Sequence, residues 1–381
     1  MFDHRSPVIV AARRTAITST GRALAQHSVD ALAASVLRAV ADELAPAGRS
    51  VGEVILGNCM GPGGNVSRLA ALRAGLGDGV PAVTVDRQCG SGLEAVLQAG
   101  RLVRSGDAEL VLAGGAESAS TAPWRFWPPQ GEAAARRYTR APFAPDGWPD
   151  PDMGEAADAV AARFGIGRAR QDDWAARSHH LASAHRDRGG FDGEIVAVDG
   201  ERRDDRPRAT LDTGRLGRFT AAFSAGGTVT AGNSCGVSDG AAAMAVTTEA
   251  VRAELGLPGL RIVATAAAGS DPALPGIGAV AAVERLLADT GVRVSELDAI
   301  EITEAFAAQV LAVSDLLGLD EERICTDGGA IALGHPWGAS GAVLLVRLAA
   351  RMFASDNARY GLAACSIGGG QGLAMLVERA A

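Results

Sequence analysis

The sequence predicts an α/β fold built from two similar halves, and three observations predict it. First, the chain repeats an order of elements. PVIVAA at 7–12, a helical stretch near 29–44 and VGEVILGNC at 51–59 are answered by LRIVATAAA at 260–268, a helical stretch near 278–290 and LDAIEIT at 297–303. Second, each half then presents a glycine turn that opens a helix. CGSGLEAVLQAGRLVRSG is followed by the strand AELVLAGGAE, and GASGAVLLVRLAARMF by RYGLAACSIGGG, so that Gly90-Ser91-Gly92 pairs with Ala339-Ser340-Gly341. Third, the strands are short and apolar throughout, which fits a buried, parallel sheet with helices on its faces.

Between the halves the texture changes. Residues 118–218 are rich in Pro, Trp, Arg and Asp, as in TAPWRFWPPQ and APDGWPDPDMG. A helix is expected over 154–187, where apolar residues recur at helical spacing. Such an insertion on a rigid scaffold commonly builds a binding surface. GGTVTAGNSCGVSDGAAAMAVTT then returns to strand character. The expected division is 1–117 with 219–250 as the first half, 118–218 as a loop domain and 251–381 as the second half.

Composition narrows the function. The chain of 381 residues is too long for one simple core. The net charge is -8 and no basic run stands out, which argues against nucleic-acid binding. The sequence contains no lysine, so an anionic ligand must be held by arginine or by backbone N–H groups. Five scattered cysteines form neither a disulfide framework nor a zinc pattern. No signal-peptide pattern opens the chain and no apolar run spans a bilayer, so a cytoplasmic protein without membrane partners is expected.

Two residues stand at chemically useful places. Cys89 lies where the strand AVTVD gives way to a helix, and a helix N-terminus favours a thiolate and lowers a thiol pKa. For an isolated cysteine a buried structural role would be the commoner reading. His335, in GGAIALGHPWGASG, precedes a glycine-opened helix at the equivalent place of the second repeat. Side chains at symmetry-related strand ends can meet across one cleft, and a His beside a Cys activates the thiol. His179, His180 and His185 miss the spacing of a metal pair and read as a solvated helix face. Trp124, Trp127 and Trp148, set among prolines, read as packing of the loop domain. Gly114-Gly115 reads as a strand-to-loop turn.

With these residues placed, the sequence resembles the thiolases. CGSG at 89–92, FDGEIVAV at 191–198, TVTAGNSCG at 228–236, DGAAAM at 239–244, TEAFAAQ at 303–309, GGAIALGHPWGASG at 328–341 and CSIGGGQG at 365–372 follow that family's order along nearly the whole chain. The resemblance implies a five-layer αβαβα fold with an inserted loop domain that binds coenzyme A. It implies that Cys89 is acylated, that His335 takes its proton and helps bind the thioester oxygen, and that the N–H groups of Cys89 and Gly368 form an oxyanion hole. Arg206, in DRPRATLD, matches an arginine facing the adenine-nucleotide end of coenzyme A. Met153, Phe223, Ala305 and Phe306 match the lining of the pantetheine and acyl tunnel.

The sequence departs from the family pattern in places. Thr303 stands where the family has an Asn that holds a water beside the histidine; it keeps a hydroxyl but loses the amide donors. Counting back from Gly368-Gly369-Gly370, Ser366 occupies the place of the family's second cysteine. Side chains alternate along a strand, so Cys365 and Ser366 should point to opposite faces, with Ser366 toward the reacting carbon. A bulge that swings Cys365 into the cleft is the alternative. A serine is a poor base for an α-proton. Cys235 replaces a serine that usually contacts pantetheine, and Asp152 replaces a histidine before Met153.

The expected function is acyl-CoA C-acyltransferase, making or cleaving 3-ketoacyl-CoA through an acyl-Cys89 intermediate. Coenzyme A and its thioesters are then substrates and partners; no metal or redox cofactor is called for, and a homodimer or homotetramer is implied. Two alternatives stay open. One is a divergent condensing enzyme or acyltransferase that uses Cys89 and His335 on another acceptor. The other is a non-catalytic acyl-CoA-binding or scaffold protein.

Overall fold

The computed structural model describes residues 4–45, 48–131 and 133–380. The first half begins with β1 (Pro7–Thr15), β2 (Thr18–Ser19), α1 (Val29–Leu44), β3 (Glu53–Gly57), α2 (Val66–Arg73), β4 (Ala82–Val85), α3 (Ser91–Ser105) and β5 (Leu110–Ser118). The insertion carries β6 (Arg125–Trp127), β7 (Arg136–Tyr138), α4 (Met153–Phe164), α5 (Arg168–Asp187), β8 (Ile195–Val196) and α6 (Thr213–Leu216). After β9 (Ser238–Thr248) and α7 (Glu249–Leu255) the second half runs β10 (Leu260–Gly269), α8 (Gly278–Thr290), β11 (Leu297–Ile302), α9 (Ala307–Leu317), α10 (Ala330–Leu333), α11 (Trp337–Phe353), β12 (Tyr360–Ile367) and β13 (Gln371–Arg379).

The repeat is visible in the sheet. Its order is β4-β3-β5-β9-β1-β10-β13-β12-β11, a sequence and its mirror image. Ile324 pairs with Ile300 as an isolated parallel bridge on β11, where β4 stands on β3. The halves join through antiparallel pairs Val8↔Arg261 and Ile9↔Leu260. The sheet is mixed, not parallel as expected: β3 is parallel to β4 and β5, but β9 runs antiparallel to both β1 and β5. Strands buried on both faces show the same apolar run in either direction, so the pattern cannot report it.

Three buried clusters make five layers of these elements. On β5, Leu110, Leu112 and Ala116 face α1 and α2, while Val111 and Ala113 face the middle of the molecule. On β12, Leu362 and Ala364 face α8 and α9, while Ala363, Cys365 and Ile367 face the middle. The middle layer is α3 with α11. In α1, Val29, Leu32, Ala33, Val36, Leu37, Val40 and Leu44 are buried, the three-and-four spacing of a helix with one apolar stripe. α3 and α11 approach until their backbones touch. A Cβ at Gly92 would lie 2.8 Å from Ala342 N, and one at Gly341 would lie 2.5 Å from Leu93 N. Glycine at these equivalent positions is therefore a packing requirement.

Several expectations change. The single helix over 154–187 is two, because Gly165 takes a left-handed φ of 67° and caps α4. Strand structure returns at Ser238, after a stretch of turns over 219–237 stitched to the second half. Gly114 and Gly115 lie inside β5. Trp124 and Trp148 are 72% and 63% exposed, so they do not pack the loop domain. Among the described residues no helix is long and apolar enough to cross a membrane.

Candidate active site

Cys89 sits in a tight turn over 88–90 that runs straight into α3. The preceding Gln88 has a φ of 42°, a strained value for a non-glycine residue. Ser91 holds this turn: its Oγ donates to Gln88 O at 2.7 Å and accepts from Arg87 N at 2.8 Å. The thiol meets His335 across the two halves, with Cys89 Sγ 3.3 Å from His335 Nε2. His335 Nδ1 lies 2.6 Å from Ser340 Oγ, and the His335 N–H donates to Gly236 O at 3.0 Å. Ser340 was not singled out from the sequence. The signal was there, since Ser340 is the repeat equivalent of Ser91.

Burial dominates the electrostatics. It pushes the Cys89 thiol up to about 11, against the opposing pull of the Cys89 and Gly368 N–H groups. Burial also holds His335 down to about 4. The expected lowering of the thiol is thus reversed: the helix-end donors act in the right direction, but desolvation outweighs them. At neutral pH the pair is thiol and neutral imidazole. Glu117 braces the same corner. It accepts from Cys59 N, Met60 N, Gly338 N and Asn58 Nδ2, and its burial raises it to about 7.

The Cys365–Ser366 pair alternates as a regular strand, paired Cys365↔Leu373 and Ser366↔Gly372 without a bulge. Cys365 is fully buried, with Sγ 3.3 Å from Thr303 Oγ1. Ser366 keeps partial exposure, and its Oγ accepts from Ala279 N at the start of α8. Thr303 is 1% exposed, so its hydroxyl serves Cys365 and not an open water site.

The expected tunnel residues come together. Phe223 and Phe306 meet edge to face with centroids 5.9 Å apart, and Gly154, next to Met153, packs under Phe223. Ala305 O accepts from Cys235 N at 3.0 Å, tying the 228–236 segment to the second half. Arg206 is partly buried. Its guanidinium lies on Gly236, beside Cys235. Arg208, two residues on, is the exposed one. His179 is buried, 3% exposed, not on a solvated face, because α5 packs under the loop that carries Arg206. Among the described residues no cluster of three or more His, Cys, Asp or Glu could hold a metal.

A cysteine at a helix start, facing a histidine from a second copy of the same α/β half, is the arrangement of a two-half thiol enzyme. Two family models match: thiolase, N-terminal domain, over residues 7–250, and thiolase, C-terminal domain, over 257–379. The chain belongs to the thiolase family. It is 42% identical over 392 residues to the acetyl-CoA acetyltransferase of Pseudomonas aeruginosa, covering 98% of this chain and 99% of that one. It is 41% identical over 397 residues to the acetyl-CoA acetyltransferase of Escherichia coli, covering 98% of each. The crystal structure of the Bacillus anthracis acetyl-CoA acetyltransferase superposes with a TM-score of 0.91 at 34% identity, over 98% of this chain and 99% of that one.

Proposed function

We propose that the protein is an acyl-CoA C-acyltransferase that carries the acyl group on Cys89. The observation that carries the reading is the 3.3 Å approach of Cys89 Sγ to His335 Nε2. As the sulfur attacks the thioester carbon, its proton passes to Nε2; the coenzyme A thiolate leaves and takes that proton back. With the thiol and imidazole both neutral at rest, attack and proton transfer are coupled. The N–H groups of Cys89 and Gly368, which already point at the sulfur, hold the oxyanion of the tetrahedral intermediate. Phe223, Phe306, Met153 and Ala305 line the pantetheine and acyl path.

The carbon–carbon step is the weaker one. Cys365 is the member of the pair on the face toward α3, α11 and Cys89, bonded there to Thr303; Ser366, partly exposed and accepting from Ala279 N, is taken as the group at the reacting α-carbon. Its hydroxyl is a poor base. This favours a second reading, in which the acyl group passes to an acceptor whose proton leaves more readily. The proposed active form is a homodimer or homotetramer. β4 is an edge strand, and Val83, Leu69 and Leu72 beside it are 40%, 48% and 46% exposed.

Incubation with acetyl-CoA followed by digestion and mass measurement tests the reading. An acetyl group is expected on Cys89 and lost in Cys89→Ala; acetylation elsewhere, or none, overturns it. Acetoacetyl-CoA thiolysis then separates the two acceptors. Ser366→Cys should raise it and Cys365→Ala should do little; collapse in Cys365→Ala alone would assign the step to the buried thiol.

A further inference from the structure

The turn that carries the Gly368 N–H is made of glycine alone. Gly368, Gly369 and Gly370 join β12 to β13, and Gly369 and Gly370 have φ values of 80° and 75°. Glycine suits this left-handed backbone, but a glycine turn has wide conformational freedom and no side chain with which to pack itself. Its shape is therefore imposed from outside. Pairing of Ile367 with Gln371 closes its base, and Ser270 N donates to Gly370 O at 2.7 Å. Gly368 and Gly369 meet Phe143 of the loop domain. A Cβ at Gly368 would lie 2.5 Å from Phe143 Cε2, and one at Gly369 would lie 3.0 Å from Phe143 O, so the ring and the carbonyl both press on the turn.

Phe143 is itself held. Its N–H donates to Asp150 Oδ1 at 3.3 Å, and the Arg140 guanidinium lies over its ring, 4.7 Å from the centroid. Arg140 in turn donates to Asp150 Oδ1 at 2.8 Å and to Asp150 O at 3.1 Å. Residues 140–150 thus form a closed clasp. Within it Trp148 is turned to solvent, while Phe143 is turned onto the glycines. The contact matters because the Gly368 N–H points at the Cys89 sulfur, and a donor stabilises a developing oxyanion only when it is aimed in advance. We propose that Phe143 is a positioning residue of the acyl-transfer step: clasped by Arg140 and Asp150, it fixes the glycine turn so that the Gly368 N–H meets the thioester oxygen. As the bond from Cys89 Sγ to the acyl carbon forms, the C=O electron pair moves onto that oxygen. It returns as the bond to the coenzyme A sulfur breaks. This rests on the acyltransferase reading above.

Two reactions of the same sulfur test the assignment. Transfer from acetyl-CoA passes through an oxyanion. Alkylation by iodoacetamide, a substitution at saturated carbon that expels iodide, does not. At saturating acetyl-CoA, Phe143→Ala is expected to slow acetyl loading of Cys89 by about tenfold to a hundredfold, less than removal of an oxyanion-hole donor outright. Alkylation should keep the wild-type rate. Phe143→Leu, which refills part of the space, should recover much of the loading rate. Asp150→Ala, which opens the clasp, should repeat the pattern of Phe143→Ala more weakly. Unchanged loading in Phe143→Ala overturns the proposal. So does equal slowing of both reactions, which would put the effect on the sulfur or on the fold. A change confined to the apparent affinity for acetyl-CoA also overturns it, by making Phe143 a substrate contact. Wild-type protein that is alkylated at Cys89 but takes no acetyl group sinks the acyltransferase reading and this proposal with it; wild-type loading that Phe143→Ala leaves intact sinks this proposal alone.

Discussion

Ser340 does for His335 what Ser91 does for the turn that carries Cys89: a hydroxyl of the helix that follows fixes its position. With Nδ1 engaged, Nε2 is left to face the sulfur. Ser340→Ala should therefore slow loading of Cys89 by about 10–100-fold in single-turnover measurements, the scale of a mispositioned acid–base group. Ser340→Thr should restore most of the rate, and the pH profile of loading should shift in the alanine variant alone. An unchanged profile with a lowered melting temperature would make the serine merely structural. The neutral resting pair gives a second prediction. Thiolate ultraviolet absorbance, taken as wild type minus Cys89→Ala, should be absent at neutral pH and grow in only toward about pH 11. The sign follows from burial, which disfavours the charged thiolate and also holds His335 uncharged down to about 4. A full thiolate signal at pH 6 would mean an ion pair.

At the level of elements, the contact of α3 with α11 sets the distance between the two reactive residues. Gly341→Ala would press a methyl into Leu93 N, and overpacking of this kind costs about 1–3 kcal/mol. Chemical denaturation should show that loss, with loading of Cys89 reduced as well because the helix that follows His335 is displaced. Unchanged stability would mean that the helices can slide apart freely. Element boundaries were largely legible in the sequence: the helices expected near 29–44 and 278–290 are α1 and α8. Cys89 and His335 were legible because each precedes a glycine-opened helix in its repeat. What was not legible depends on neighbours distant in sequence. The direction of β9, the burial of His179 and the raised thiol of Cys89 all arise from which faces meet, and no local spacing encodes that.

On the scale of the molecule, a buried ionic chain ties the loop domain to the core. Glu194 lies between Arg14 of β1 and Arg347 of α11; Asp204 forks onto Arg14, and Asp327 takes the other end of Arg347. Phe191 lies between the two guanidinium groups, at 5.1 and 4.7 Å from its ring centre. Three segments far apart in sequence are thereby locked together. Removing one member strands a buried charge, so Glu194→Ala should cost about 3–5 kcal/mol, measured by denaturant unfolding. A loss below 1 kcal/mol would show that water enters and screens the cluster.

The seam between β1 and β10 has a consequence of its own. Cys89 comes from one side of it and His335 from the other, and the chain passes between the sides through the short connection after α7. Neither side alone holds a reactive pair. Severing that connection would divide the protein into a piece with a nucleophile and no base and a piece with a base and no nucleophile. Radiolabelled acetyl groups, transferred from acetyl-CoA to Cys89 with release of coenzyme A, would then count reunited molecules, turning the enzyme into a gauge of its own assembly.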